Sequence, residues 1–184
     1  MQHHGAPTRL VDWTASPYVA AYFASEEDWE EMGAIWVLRV SVLERARAKA
    51  SENADDTAAL FLDPNAPEVI VPLWSTKKTE RIIAQQGEFT ACAQVLADQE
   101  QVIDRVCAPI HKDGVGDVYR KLLLPPALKP EFLHHLRAMN VTASSLFPGV
   151  DGLGRSIAQA ARLEGWRGRS SDVITNPKSR RNAP

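Results

Sequence analysis

Residues 2–16 concentrate side chains that could bind a ligand or take part in catalysis. Two imidazoles, a guanidinium, a carboxylate, an indole and several hydroxyls stand among glycine and proline, and this composition favours a shaped loop over a helix or a strand. Chain ends are usually loosely structured, so such a dense block is typical of the interior of a structural unit. The candidate ligand-binding residues are His3, His4, Arg9, Asp12, Trp13, Thr14 and Ser16.

Two histidines and a carboxylate are the residue types of a two-histidine, one-carboxylate metal site. Neighbouring residues of an extended segment point to opposite sides, so His3 and His4 cannot both reach one metal ion from a flat strand. We therefore expect no metal here, and we expect one imidazole to fix the loop through a backbone carbonyl.

Arg9 and Asp12 stand three residues apart, which allows a bidentate ion pair within a turn. Two interpretations stay open. The pair could serve only to anchor the loop, or Arg9 could bind a phosphate while Asp12 holds the guanidinium in place. Trp13 also allows two interpretations, because its ring could stack on a ligand or could cover the core.

A second candidate site is the turn Gln86-Gly87-Glu88. Glycine suits a tight turn, and Glu88 would then be a solvated charge at the start of a strand. A catalytic interpretation of Gln86 and Glu88 depends on the family resemblance described below.

The elements that must position these residues are those of an α+β fold, with a small mixed or antiparallel sheet and flanking helices. Ser16 and Pro17 form a helix-start signal, so a helix should run to about Ser25. Short runs of β-branched and aromatic residues predict strands, and apolar periodicity predicts helices. The strands are expected at 34–40, 69–74, 89–95 and 118–124, the other helices at 42–50, 76–85, 130–139 and 151–163, and an exposed loop at 51–57.

Composition narrows the function classes. A chain of 184 residues with 45% hydrophobic content is typical of one domain with a real core, and a net charge of −2 gives no reason to expect a specific nucleic acid partner. Two cysteines without metal spacing, no secretory signal and no long apolar run predict a cytoplasmic protein outside the membrane. Residues 166–184 carry five basic residues and one acidic residue, so we expect a basic, disordered tail.

Three segments, in order, resemble the FRG domain family. Residues 2–24 resemble its Q-H-x-G-x-P-T-R-L-L-D-W-T-x-S-P-x-x-A-x-x-F-A motif, residues 84–90 its Q-Q-G-x-F-T segment, and residues 144–153 its closing S-x-L-F-P-D-L-D-G-L motif. The family is named for an F/Y-R-G motif upstream of the first segment, and no such motif precedes Gln2. The resemblance implies a partial, N-terminally truncated FRG-like domain over residues 1–165. We expect a sheet shortened in this way to have an exposed strand edge, which favours self-association or low stability.

The Gln86-Gly87-Glu88 turn also resembles the Q/E-x-E pair of NAD-consuming ADP-ribosyltransferases, in which the glutamate hydrogen-bonds the ribose. Thr14-Ala15-Ser16 before a helix is similar to the S-T-S segment of those enzymes. This resemblance implies an ADP-ribosyltransferase-like arrangement, with Glu88 and Gln86 as catalytic residues and NAD as a nucleotide substrate. FRG relatives are mostly bacterial or phage proteins of unassigned activity.

Two functions remain open. The chain is either a divergent ADP-ribosyltransferase or NAD glycohydrolase, or a non-catalytic module that binds a ligand or partner through its Q-H-H-G-x-P-T-R loop. The two predict different surroundings for Glu88. A cleft shared by Glu88 with Arg9, Asp12 and Trp13 favours the enzyme, whereas a solvent-facing Glu88 favours the module.

Overall fold

A computed structural model describes residues 9–50, 57–94, 97–112 and 119–175, and these form the predicted α+β fold. The strands are β1 (Leu10–Thr14), β2 (Gly33–Leu38), β3 (Ile70–Leu73), β4 (Gly87–Cys92) and β5 (Tyr119–Leu124). The helices are α1 (Pro17–Glu26), α2 (Val40–Ala50), α3 (Thr57–Leu62), α4 (Glu80–Ala84), α5 (Gln99–Lys112), α6 (Lys129–Ala138), α7 (Ala143–Leu146) and α8 (Val150–Thr175). None of the helices in these ranges has the length and apolar character needed to cross a membrane.

The strands form two antiparallel sheets. One has three strands in the order β1-β4-β3, and the other has two, β2-β5. Trp13 lies opposite Glu88 in the β1-β4 pair, and Trp36 lies opposite Lys121 in the β2-β5 pair. Among the strands that the structure describes, β1 is therefore an edge strand and β2 pairs with β5 alone. The predicted small sheet with flanking helices is confirmed, with the strands divided between two sheets.

Strand β1 corrects the expectation of a loop. Residues 10–14 contain many polar groups, but Val11, Trp13 and Thr14 are β-branched or aromatic and suit a pleated, half-buried surface. Five consecutive residues pair with β4 along its length, and this pairing decides the conformation. His3 and His4 lie outside the described residues, so the expectations for them stay predictions.

Helix α1 begins as predicted. The hydroxyl of Ser16 accepts a hydrogen bond from the backbone N–H of Val19 at 3.4 Å, and Pro17 occupies the first turn. The helix then buries one side against α6, α7 and α8. The cluster formed there comprises Val19, Ala21, Tyr22, Leu133, Leu136, Ala143, Leu146, Phe147 and Leu163.

The three-stranded sheet is covered on both faces. Ile70 and Val71 are neighbours on β3 and so point to opposite faces. Ile70 belongs to a cluster with α2 and α5, whereas Val71 belongs to a cluster with α3. Trp13, Leu38 and Tyr119 pack against the Ile70 cluster, so both sheets contribute side chains to the same part of the core.

Gly33 allows β2 to lie close to α1. A Cβ atom at this position would approach the carbonyl oxygen of Ala24 to 2.3 Å, which no side chain could tolerate. The close approach fixes the start of β2 beside the end of α1.

Several element boundaries differ from expectation. Helix α4 begins only at Glu80, because Thr79 caps it by accepting the Ile82 N–H at 3.3 Å. Helix α8 continues past Gly165 to Thr175, ten residues into the segment expected as a tail. Helices α3, α5 and α7 were not predicted, and residues 51–56 of the expected loop lie outside the described ranges.

Candidate functional site

A cleft of about 940 Å³ lies between the two sheets. Residues 11–14 of β1 and residues 33–36 of β2 line it, together with parts of α1, α4, α5 and β5. Successive strand residues point to opposite faces. Because four consecutive residues of each strand line the cleft, residues from both faces of β1 and of β2 contribute to it.

Carboxylates dominate the charge of this cleft, which we call the acidic cleft. Its six acidic residues are all exposed, and they are Asp12, Glu27, Asp28, Glu31, Asp98 and Glu100. Its basic lining residues are Arg81 and Lys129. Half-buried Trp13, Trp36 and Tyr119 provide aromatic surface beside these charges.

The two basic lining residues differ: Lys129 is engaged with the protein, whereas the buried Nε of Arg81 has no hydrogen-bond partner among the described residues. Lys129 is only 3% exposed, and its ammonium donates to the carbonyl oxygens of Glu27 at 3.1 Å and Asp28 at 2.8 Å. The guanidinium carbon of Arg81 lies 4.8 Å from the ring centroid of Phe147. With six exposed carboxylates against two basic side chains, the cleft carries a net negative charge that favours cations.

Local hydrogen bonds position the acidic residues. Asp28 has a positive φ of 33° and accepts the N–H of Glu30 through Oδ1 at 3.1 Å, so the segment after α1 forms a tight turn. Asp98 accepts the N–H of Glu100 at 2.9 Å where α5 begins. Lys121 lies 4.0 Å from Glu100, a separation at which an exposed ion pair contributes little to stability.

Arg9 and Asp12 are not paired with each other. The Arg9 guanidinium donates to the carbonyl oxygens of Phe61 at 3.4 Å and Ala93 at 3.5 Å and lies 5.9 Å from the Phe61 ring centroid. It thus ties the start of β1 to α3 and to the end of β4. Asp12 is exposed and lines the acidic cleft.

Trp13 has both a structural and a cleft-facing role. Its Nε1–H donates to the hydroxyl of Thr90 at 2.9 Å, and that hydroxyl donates to Gln99 Oε1 at 3.3 Å. The amide of Gln99 in turn donates to the carbonyl oxygen of Arg9. This chain of bonds joins β1, β4 and α5 beneath the cleft.

Thr14 and Ser16 stabilise the turn from β1 into α1. The Thr14 hydroxyl donates to the carbonyl oxygen of Gln85 at 2.7 Å and accepts the Ser16 N–H at 3.1 Å. Gln85 donates to the carbonyl oxygen of Leu146 at 3.1 Å. These motif residues therefore connect α4 and α7 to the cleft wall.

Gln86 and Glu88 do not line the acidic cleft. Gln86 is exposed, has a φ of +48° and accepts the Ala15 N–H at 3.0 Å, so it serves the turn between α4 and β4. Glu88 is half-buried, opposite Trp13. The structure thus brings Asp12, Trp13 and Thr14 to the cleft, while Arg9, Ser16, Gln86 and Glu88 lie outside its lining.

Sequence analysis missed most of the acidic residues of the cleft. The run from Glu26 to Glu31 is visible in the sequence, but it reads as an ordinary solvated helix end. Its meeting with Asp98 and Glu100 depends on long-range packing. No group of three or more metal-ligating side chains occurs within the described ranges.

A partly buried polar network joins α1 and α8. The Tyr22 hydroxyl donates to Glu26 Oε1 at 3.1 Å and accepts from the Gln159 amide at 3.3 Å, while Arg155 lies 3.8 Å from Glu26. Burial raises the pKa of Glu26 above its usual value, and burial also raises the pKa of Tyr22. A smaller cavity of about 420 Å³ beside it is lined by Arg81, Phe147 and Arg155, among others.

Comparison with known proteins finds one family. A sequence model of the FRG domain matches residues 1–32, a partial match that agrees with the resemblance of the N-terminal motif. Neither the curated proteins nor the solved structures give a match to this chain.

Proposed function

We propose that this chain, with its FRG-type segment, is a non-catalytic binding module whose acidic cleft takes up a positively charged ligand. The observation that carries the proposal is the charge of the cleft: six exposed carboxylates line it together with half-buried aromatic rings, against two basic residues, of which Lys129 is buried on backbone carbonyl oxygens. A cleft lined by one sign of charge raises the local concentration of ligands of the opposite sign.

The aromatic surface adds a second source of affinity for cations. A cation within about 6 Å of a tryptophan or tyrosine ring gains roughly 0.5–2 kcal/mol from the ring quadrupole. Trp13, Trp36 and Tyr119 all line the acidic cleft, but Trp36 stacks on Tyr119 and already has the Lys121 ammonium 4.2 Å from its ring centroid, so this gain is expected from Trp13. A ligand that combines positive charge with apolar surface would use both features.

The same features disfavour NAD as the ligand. Its diphosphate carries two negative charges and needs free cations or backbone N–H groups. Lys129 is buried against two carbonyl oxygens, so Arg81, whose Nε has no hydrogen-bond partner among the described residues, is the basic lining residue left to offset six carboxylates. A diphosphate in this cleft would therefore meet carboxylates with little compensation.

The positions of the proposed catalytic pair also support the module over the enzyme. An ADP-ribosyltransferase needs its glutamate beside the ribose, yet Glu88 is not among the lining residues of the cleft. Thr14 and Ser16, which resemble part of the transferase motif, use their hydroxyls within the protein.

Isothermal titration calorimetry with spermine and with NAD tests the proposal. Spermine is a tetracation without amide groups, so it reports on charge and apolar contact alone. We expect spermine to bind with a one-to-one stoichiometry and NAD to give no heat of binding and no release of nicotinamide. Binding of NAD, or cleavage of NAD, would contradict the proposal.

A further inference from the structure

Helix α8 has an apolar face opposite the face that it buries. At about 100° per residue, Gly152 and Leu163 share one side of the helix, and both are buried. Val150, Ile157 and Ala161 share the opposite side, and all three are exposed, Val150 at 84% and Ile157 at 63%. A surface helix normally carries polar and charged side chains on the side away from the core, so this face is not of the kind that suits water.

The outer face of α8 contains no polar residue over three turns. It consists of Val150, Leu153, Gly154, Ile157, Ala158 and Ala161, all of them exposed. Two nearby arginines are held against rings of the same chain: the guanidinium carbon of Arg155 lies 4.7 Å from the Phe147 ring centroid, and that of Arg162 lies 4.0 Å from the Trp29 ring centroid. None of the described residues of α8 lines the acidic cleft, so the outer face is a separate surface.

The outer face is complementary in size to itself. In an antiparallel pair of α8 helices related by a two-fold axis between residues 155 and 156, Val150 of one copy is level with Ala161 of the other, and Ile157 is level with Gly154. Each large side chain thus meets a small residue, and the axis repeats both contacts. A Cβ at Gly154 would meet no atom within 4 Å, so this chain leaves the space beside Gly154 open. A register that placed Ile157 level with itself would instead put Val150 beside the charged Glu164.

Charges beside the outer face are complementary in the same register. Asp151 and Arg162 lie on the same flank of the face, and a two-fold axis perpendicular to the helices keeps that flank on one side of both copies. Asp151 of one copy therefore lies about 3 Å along the helix axis from Arg162 of the other. Arg155 is on this flank near the axis, where Glu26 at 3.8 Å balances its charge.

We propose that the outer face of α8 binds a second copy of this chain, through an antiparallel, two-fold symmetric contact between the two α8 helices. This inference goes beyond the proposed binding of cations and does not depend on it. Residues 150–161 span about 18 Å of a helix about 10 Å wide, roughly 180 Å² per chain. Stable interfaces bury about 800 Å² per partner, so the dimer is weak and forms at high protein concentration.

Sedimentation equilibrium of the full chain tests the proposal between about 10 μM and about 1 mM, the range in which weak complexes form. We expect the mass to rise from 20.3 kDa, the mass of one chain, toward twice that value. A chain that stays monomeric at the highest concentration would overturn the proposal.

Two lysine variants locate the contact. Ile157→Lys places a charge in the outer face, where burial against a second copy would be costly, so it should weaken association at least tenfold. Leu62→Lys makes the same change in net charge on α3, at an apolar residue that is 82% exposed, and should leave the affinity within twofold. Equal losses in the two variants would contradict a contact through α8.

Gly154→Leu distinguishes the antiparallel register from unspecific apolar association. Leucine has room at this position in the single chain and favours a helix, so the fold should keep its stability in urea denaturation. The new side chain fills the space that Ile157 of the second copy needs, so dimerisation should weaken at least tenfold. Adding Ile157→Ala restores the match of sizes and should recover most of the affinity. Tighter association of Gly154→Leu than of the unaltered chain would contradict the proposed contact.

Discussion

Trp13 and Glu88 lie opposite each other on strands β1 and β4, yet only Trp13 lines the acidic cleft. The two functions that the sequence left open assign different roles to Glu88. A glutamate that acts on bound ribose must reach the ligand, and the cleft beside Trp13 is lined by other carboxylates instead. The binding module accordingly makes different predictions for the two residues.

Glu88→Ala should leave ligand binding unchanged. The side chain is half-buried at the start of β4 and outside the cleft lining, so its removal should cost less than about 1 kcal/mol of stability. Calorimetry with spermine and a nicotinamide-release assay check this prediction. A release of nicotinamide by the unaltered chain that disappears in Glu88→Ala would contradict the module and establish the enzyme.

Trp13→Phe should destabilise the fold. The substitution removes the donor to Thr90 and leaves the Thr90 hydroxyl and Gln99 with an incomplete network. The expected loss in the free energy of unfolding is about 0.5–1.5 kcal/mol for the hydrogen bond. Urea denaturation measures it, with Trp74→Phe as the control because Trp74 is 58% exposed. Similar losses in the free energy of unfolding for the two variants would show that the hydrogen bond from Trp13 does not stabilise the fold.

Two glycines of α8 form a matched pair for testing the packing of this helix. A Cβ at Gly152 would lie 1.9 Å from the carbonyl oxygen of Phe147, whereas a Cβ at Gly154 would meet no atom within 4 Å. Gly152→Ala should therefore lower the free energy of unfolding by about 3 kcal/mol or more, and Gly154→Ala should raise it by about 0.5–1 kcal/mol. Thermal or urea denaturation gives the free energy of unfolding of both variants. A Gly152→Ala variant as stable as the unaltered chain would contradict the close approach of α8 to the Phe147 carbonyl oxygen.

The raised pKa of Glu26 predicts a pH dependence of stability. The folded state holds the proton more tightly than the unfolded state, so protonation stabilises the fold. This contribution is fully present below the unfolded-state pKa, which is about 4.3, and it is lost as the pH rises through the higher folded-state pKa. Glu26→Gln removes the titration and should flatten the fall in stability above about pH 4.3. Urea denaturation at several pH values gives the slope of the free energy of unfolding against pH for the unaltered chain and for Glu26→Gln. Equal slopes would show that Glu26 is not the source of the pH dependence.

Local signals made much of the fold predictable. Ser16 and Pro17 fix the start of α1 because capping depends on neighbours in the chain. The runs of β-branched residues that predicted β2 and β3 are also signals between neighbours in the chain. Strand β1 escaped prediction because its conformation depends on pairing with β4, more than 70 residues away.

The candidate site was predictable only in part. Asp12, Trp13 and Thr14 stood out by residue type, and they do line the cleft. The role of Arg9 as an internal hydrogen-bonding group could not be read from residue type, because a ligand and a backbone carbonyl attract the same guanidinium, whereas the cap formed by Ser16 was predicted. Asp98 and Glu100 gave no signal, since only the packing of α5 brings them to β1.

The central claim is that carboxylates of the acidic cleft bind a positively charged ligand, and a pair of charge-reversal variants tests it most directly. Asp12→Lys with Glu31→Lys changes two exposed lining residues, whereas Glu44→Lys with Glu164→Lys makes the same change in net charge at exposed positions outside the lining. The affinity for spermine is measured by calorimetry at one fixed salt concentration. We expect the cleft variant to lose at least tenfold in affinity and the control to stay within about twofold of the unaltered chain. Equal losses in the two variants would mean that spermine responds to net charge alone, and the proposed role of the cleft would be wrong.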